Sequence, residues 1–426
     1  MNQIFKISLV VTALVIPFKA VHAQQENKPV KVEIKKTSSG FEMLRAGSPY
    51  FIKGAGGTSR MDKLKASGGN SIRTWDSNNG ESVLKDANRL GLTVTMGLNV
   101  SRERHGFNYD DTAAVKKQLN RLRIEVKKYK DYPALLVWGI GNELNLDYKN
   151  PRVWDAVNDI AKMIHEEDPN HPATTMLAGI NQREIDYIKA RCPQLDLISV
   201  QVYGGLAKVP DQLKTSGWNS AYMVTEWGPT GHWECPKTPW GAPVEETSSE
   251  KAAVYKSRYE ASIVKDKNCL GSYVFLWGQK QERTPTWYGL FTEAGEESEV
   301  VDVMEYEWTG KWPQNKAPHL NSIVLDGKKT LDFIYLNANK EYPVLVSVTD
   351  GDKLNTRWEI LPEATDLGQG GDREKRPQPI NGLIKDASFD SAKLTAPAQT
   401  GAYRLFIYVT DGKNNVATAN IPFYVK

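Results

Sequence analysis

The chain has 426 residues, with 54 Lys and Arg against 51 Asp and Glu and a formal net charge of +3. So even a balance argues against a nucleic-acid or anionic-membrane partner. The length exceeds what one hydrophobic core usually holds, so two domains are expected, and three cysteines (Cys192, Cys235, Cys269) exclude a disulfide framework while leaving one bond open.

Residues 1–6 carry positive charge, residues 7–17 form a short apolar run, and Val21-His22-Ala23 places small residues for cleavage. This pattern predicts a signal peptide over residues 1–23 and an exported protein, periplasmic, secreted or held at the cell surface. The run falls short of the about 20 residues a membrane span needs, no cysteine follows it for a lipid anchor, and no other segment is apolar enough. Residues 24–47 alternate around Ser38-Ser39-Gly40, which predicts an N-terminal β-hairpin.

A strand–helix rhythm follows. Apolar runs predict strands at 50–53, 71–75, 92–99, 135–141, 173–177, 197–202, 222–226 and 272–277. Helical periodicity is clearest at 81–90, 112–129, 153–167 and 249–264. Eight strands with intervening helices predict an α/β fold, a (β/α)8 barrel over residues 48–312. Leu135-Leu136-Val137-Trp138 has the continuous apolar character of a buried parallel strand. An open doubly wound sheet is the alternative, but Gly54-Ala55-Gly56-Gly57 lacks the spacing of a phosphate loop. Trp312-Pro313 and Ala317-Pro318 mark a linker, after which short alternating strands at 331–336, 344–348, 357–361, 403–409 and 417–425 predict an immunoglobulin-like β-sandwich over residues 313–426. Asp350-Gly351 and Asp411-Gly412 supply turns, and residues 366–380, rich in Gly, Pro and charge, are expected to form a mobile loop.

Two strands end on a glutamate. Trp138-Gly139-Ile140-Gly141-Asn142-Glu143 carries the fourth strand into Asn-Glu, and Met223-Val224-Thr225-Glu226-Trp227 ends the seventh. Barrel active sites lie at the C-terminal ends of the strands, where strands four and seven face each other across the mouth. Such a pair suits glycosidic cleavage with retention. One carboxylic acid protonates the leaving oxygen, and a carboxylate about 5–5.5 Å away attacks the anomeric carbon. An isolated glutamate would be read as solvated surface or as one half of an ion pair. Two at these positions make Glu143 the expected acid/base and Glu226 the expected nucleophile.

The paired motifs resemble those of the large clan of retaining (β/α)8 glycoside hydrolases, over roughly residues 48–310. The layout of hairpin, barrel and C-terminal immunoglobulin-like domain resembles glycoside hydrolase family 158, endo-β-1,3-glucanases of gut bacteria. Phe51-Ile52-Lys53-Gly54 is similar to fungal β-1,3-glucanosyltransferases and to family 2 enzymes. The resemblance implies that Asn142 binds the sugar 2-hydroxyl, Tyr203 hydrogen-bonds the nucleophile, Arg73 keeps it ionised, and Trp277, ending strand eight, forms the stacking floor. Each also has an ordinary reading: Arg73 in a structural ion pair, Tyr203 and Trp277 as core. One departure is Gln201, where many clan members carry histidine two residues before the tyrosine.

Trp75, the loop 102–107, Trp227 and Trp233 are further candidates for a sugar cleft, since polar groups mixed with aromatics suit a polysaccharide. His165-Glu166-Glu167 resembles a zinc-protease helix, but Pro169 stands at the second ligand position, so no metal site is expected. No Gly-x-Ser-x-Gly elbow appears. The acidic run 293–299 reads as a solvated face. The expectation is therefore a cofactor-free, monomeric, endo-acting retaining β-1,3-glucanase (laminarin-type) acting on poly- or oligosaccharide. The alternatives are a glucanosyltransferase, a mannan- or galactan-cleaving enzyme on the same fold, or a non-catalytic glycan-binding protein. The sandwich is expected to brace the barrel.

Overall fold

The computed structural model describes residues 28–350 and 353–426. The export signal, the start of the hairpin segment and Gly351 of the Asp350-Gly351 turn lie outside the described residues. Eight parallel strands close into a barrel: β1 Ile52–Gly56, β2 Ser71–Arg73, β3 Thr93–Leu98, β4 Leu135–Ile140, β5 Ala173–Ala178, β6 Ile198–Gln201, β7 Tyr222–Trp227 and β8 Cys269–Val274. β8 lies three residues earlier than its apolar run suggests, so it ends before Trp277. β3, β4 and β8 are buried throughout, as expected of strands covered on both faces. The helix Thr112–Tyr129 starts where Asp111 accepts hydrogen bonds from the N–H groups of Ala113 and Ala114. The structure adds helices Met61–Ala66, Gln182–Arg191, Val209–Thr215 and Glu299–Thr309 to the four where periodicity is clearest.

The hairpin strands Val32–Lys36 and Phe41–Arg45 pair antiparallel. Val32 and Met43 pack with Ile52, Val137, Met223 and Leu270 from the barrel strands, so the hairpin seals the end away from the strand C-termini. That apolar plug leaves the opposite end as the open mouth.

After the barrel, two sheets share a second core, one antiparallel and one mixed, the mixed one including Ile334–Leu336 parallel to Asn415–Val425. One contains His319–Leu325, Glu341–Thr349, Ser391–Thr395 and Ile384–Lys385, the other Asn355–Pro362, Gly401–Thr410 and Asn415–Val425. Of the acidic run only Glu293 and Ala294 are exposed, and the rest is engaged at the seam. Glu297–Ser298 adds a parallel strand to Asn415–Val416, Glu296 pairs with Arg357 (3.1 Å), and Glu297 pairs with Lys63 (2.8 Å). The Glu296–Arg357 pair and the added strand join the two units, whereas Glu297–Lys63 lies within the barrel.

A buried polar network completes the seam. Glu245 accepts from Lys251 (2.6 Å), Thr284 (2.6 Å) and Asn420 (2.6 Å), and Arg404 donates to Asn420 (2.7 Å) and to the Pro243 carbonyl (2.7 Å). Removing one partner of such a pair strands a charge in a dry site, at about 3–5 kcal/mol. Lys251→Met is expected to lower the midpoint of thermal unfolding markedly; an unchanged midpoint in a calorimetric scan would show the network to be dispensable. The cysteines Cys192, Cys235 and Cys269 are all free thiols, so the optional disulfide is not formed. Among the described residues no helix is long and apolar enough to cross a membrane.

Candidate active site

β4 ends at Ile140, and the chain turns through Gly141 (φ 70°) and Asn142 to Glu143 (φ 51°). A left-handed backbone costs a non-glycine residue about 1–2 kcal/mol, and such strain collects where a side chain must be aimed. The Glu143 N–H donates to the Met176 carbonyl on β5 (3.0 Å), which holds the turn while the carboxyl group lines a cavity of about 460 Å³ at the mouth.

β7 delivers Glu226 to the same cavity. Its Oε2 accepts from Arg73 Nη1 (2.7 Å) and Trp75 Nε1 (3.2 Å), and its Oε1 accepts from the Tyr203 hydroxyl (2.8 Å). Arg73, fully buried at the end of β2, also donates to the Thr225 carbonyl (3.1 Å) and to Asn142 Oδ1. One guanidinium thus binds the nucleophile candidate and the asparagine beside the acid candidate, a fork that lysine could not reproduce. Burial and the Glu226 charge push the Tyr203 phenol well above its usual range, so it stays a donor.

The two carboxyl groups are treated differently. Burial, and then the negative charge of Glu226, push Glu143 up to about 7, against opposing pulls from Arg73, Arg102 and Arg104. Glu226 instead faces a fixed cation 2.7 Å away. Gln201 sits between them. Its side-chain amide lies 2.7 Å from Glu143 Oε1 and 2.8 Å from both Asn142 Oδ1 and Arg73 Nη2. At this position histidine would titrate, whereas an amide carries no charge at any pH.

The structure therefore brings Glu143, Glu226, Asn142, Arg73, Tyr203 and Trp75 together, and Trp233, 55% exposed, stands edge-on to Tyr203 at the rim (5.4 Å). Two candidates fall elsewhere. Trp227 is 0% exposed and packs on Tyr255 and Tyr259, because the residue after Glu226 points to the opposite face of the strand. Trp277 is 1% exposed, donates to the Arg60 carbonyl (3.1 Å) and packs on Phe291 and Trp308. It is core: its N–H still bonds the Gly56 carbonyl at the end of β1 (3.0 Å), but its ring is turned onto Phe291 and Trp308, and Phe275 lines the cavity instead.

Several lining residues lay beyond the sequence reading: Leu146, Glu282, Arg283 and the backbone of residues 368–371. Arg102, whose Nε donates to the Asn142 carbonyl (3.0 Å), lay in a loop already singled out. Its arginine-rich sequence was the one available signal.

No family model and no curated protein matches the chain. Solved structures do. It is similar to a β-glucuronidase of Bacteroides uniformis (TM-score 0.50, 13% identity, 93% of this chain and 48% of that one). A β-glucuronidase of Ruminococcus gnavus gives a TM-score of 0.52 at 15% identity over 66% of this chain and 53% of that one. A putative β-galactosidase from Bacteroides fragilis gives 0.50 at 13% identity over 93% and 57%. The chain spans about half the length of these proteins. At such identities the likeness establishes the fold, a barrel of the kind these glycosidases use.

Proposed function

We propose that the protein is a retaining β-glycoside hydrolase acting on a neutral β-glucan, with Glu143 as acid/base and Glu226 as nucleophile. The observation that carries this reading is the opposite treatment of the two carboxyl groups, one pushed up to about 7 and one clasped by Arg73. Glu143 donates its proton to the glycosidic oxygen as Glu226 attacks the anomeric carbon, and the leaving sugar departs as an alcohol. Glycosylation removes the Glu226 charge and with it one cause of the raised Glu143 affinity for protons. Glu143 then takes a proton from water, which attacks the anomeric carbon and frees Glu226.

The lining also bears on the substrate. Glu143, Glu226, Glu234 and Glu282 face the cavity with Arg283, and Lys280 is engaged by Glu282 (2.7 Å). Arg73, Lys280 and Arg283 are already paired with Glu226, Glu282 and Glu374, so a sugar carboxylate would find these cations engaged, and a neutral sugar suits the site better than a uronic acid. The β-1,3 linkage rests on the resemblance to family 158.

The test is proton NMR of fresh hydrolysis products from β-1,3-glucan, mixed-linkage glucan, mannan, galactan and an aryl β-glucuronide. The expected result is the β-anomer appearing first, from a β-1,3-glucan. An α-anomer would refute retention, turnover of the glucuronide alone would refute the neutral-sugar assignment, and products longer than the substrate would indicate transglycosylation.

A further inference from the structure

The segment expected to be a mobile loop of the sandwich is docked across the barrel mouth. On one side Lys280 Nζ donates to the Gly371 carbonyl (2.8 Å) and Arg283 Nη2 to the Gly368 carbonyl (3.2 Å), both from the segment after β8. On the other, Arg104, after β3, pairs with Asp372 (3.1 Å), and Gln369 Nε2 donates to Asp147, after β4 (2.6 Å). Gly370 (φ 57°) makes the close approach feasible: a Cβ there would stand 2.7 Å from Leu146 Cδ2.

β8 and β4 are four strands apart in the closed barrel, which puts them on opposite sides of the mouth. A segment tied to both spans it like a bar. The cavity containing Glu143 and Glu226 lies toward β5, β6 and β7, with residues 368–371 as part of its wall. A separate hollow, lined by Thr74, Trp75 and Asp76, lies toward β1 and β2. A polymer groove would have to run continuously past the two glutamates. Here residues 368–371 stand in the wall beside both glutamates, and a cavity of about 460 Å³ is of the size that encloses a small ligand.

We infer that residues 366–376 form the blind end of the substrate pocket, so that the enzyme removes short units from chain ends and the sandwich determines this specificity. The inference rests on the hydrolase reading above and differs from the internal cutting that the family resemblance implies. Gln369 and Asp372 act as positioning residues that hold the wall in place, without touching the reacting atoms.

The experiment follows the earliest products from a linear β-1,3-linked hexasaccharide labelled at its reducing end, with viscosity of the parent glucan measured in parallel. Wild-type enzyme is expected to release one short product length, from the end the label identifies, with little early loss of viscosity. Two variants displace the wall: Gly370→Val, which drives a side chain into Leu146, and the double variant Gln369→Ala with Asp372→Ala. The second removes two polar contacts, one exposed and one to the buried Arg104, without adding bulk, and guards against misfolding of the first; unfolding midpoints are recorded for both. In the displaced variants the ratio of internal to terminal cleavage should rise about tenfold, the scale set by losing a few pocket contacts. A mixed ladder from wild-type enzyme, unchanged in both variants, overturns the blind-end inference and leaves the hydrolase standing. No cleavage of any β-glycoside by the wild type would remove the hydrolase reading and this inference with it.

Discussion

Glu226→Ala is expected to lose about 10⁴–10⁶-fold in kcat, the scale seen when a covalent nucleophile is deleted. Arg73, Tyr203 and Trp75 all aim donors at this carboxylate, so its removal takes away the attacking group and the anchor of the cluster. Loss of activity alone would not distinguish nucleophile from scaffold, but rescue chemistry does. With an aryl β-glycoside carrying a good leaving group, azide can enter the space vacated in Glu226→Ala and displace the aryl group once, with inversion, to give the α-glycosyl azide. In Glu143→Ala the covalent intermediate still forms from such a substrate, and azide then intercepts it to give the β-product. Swapped stereochemistry would exchange the two roles, and wild-type rates in Glu226→Ala would end the proposal.

The second large effect is in pH. Glu143 is pushed up to about 7, so the wild-type kcat/KM should fall as pH rises through that value and the acid loses its proton. Glu143→Gln should lose about 10²–10⁴-fold on unactivated substrates. On a substrate that needs no acid it should lack the alkaline limb. The same group sets a stability difference of known sign. Its affinity for protons is higher folded than unfolded, so its contribution is complete below the unfolded value of 4.5 and is lost as pH rises through about 7. Glu143→Gln should therefore match wild type near pH 4 and melt about 2–5 °C higher at pH 8. An unshifted alkaline limb in the variant would assign the titration to another group.

The barrel and its two glutamates were legible in the chain because both depend on local order. A parallel strand buried on both faces must be a continuous apolar run, and Leu135–Ile140 is one. A glutamate at the end of such a run reaches the mouth whatever the helices do. Trp227 was misplaced although its position was also local: alternation along β7 sends it away from Glu226, into the packing of Tyr255 and Tyr259. Trp277 was misplaced because its backbone meets the end of β1 while its ring turns onto Phe291 and Trp308, partners 14 and 31 residues further along the chain.

By itself the sequence determined the order of strands, the N-terminal hairpin, the second all-β unit and the placing of Glu143 and Glu226 at facing strand ends. Those follow from periodicity, which acts over a few residues. Only the tertiary structure decided the central position of Gln201 and the docking of residues 368–371 on the mouth. Gln369 meets a partner 222 residues away in the chain. Such placements depend on distances in space between residues remote in sequence, and no local pattern encodes those distances.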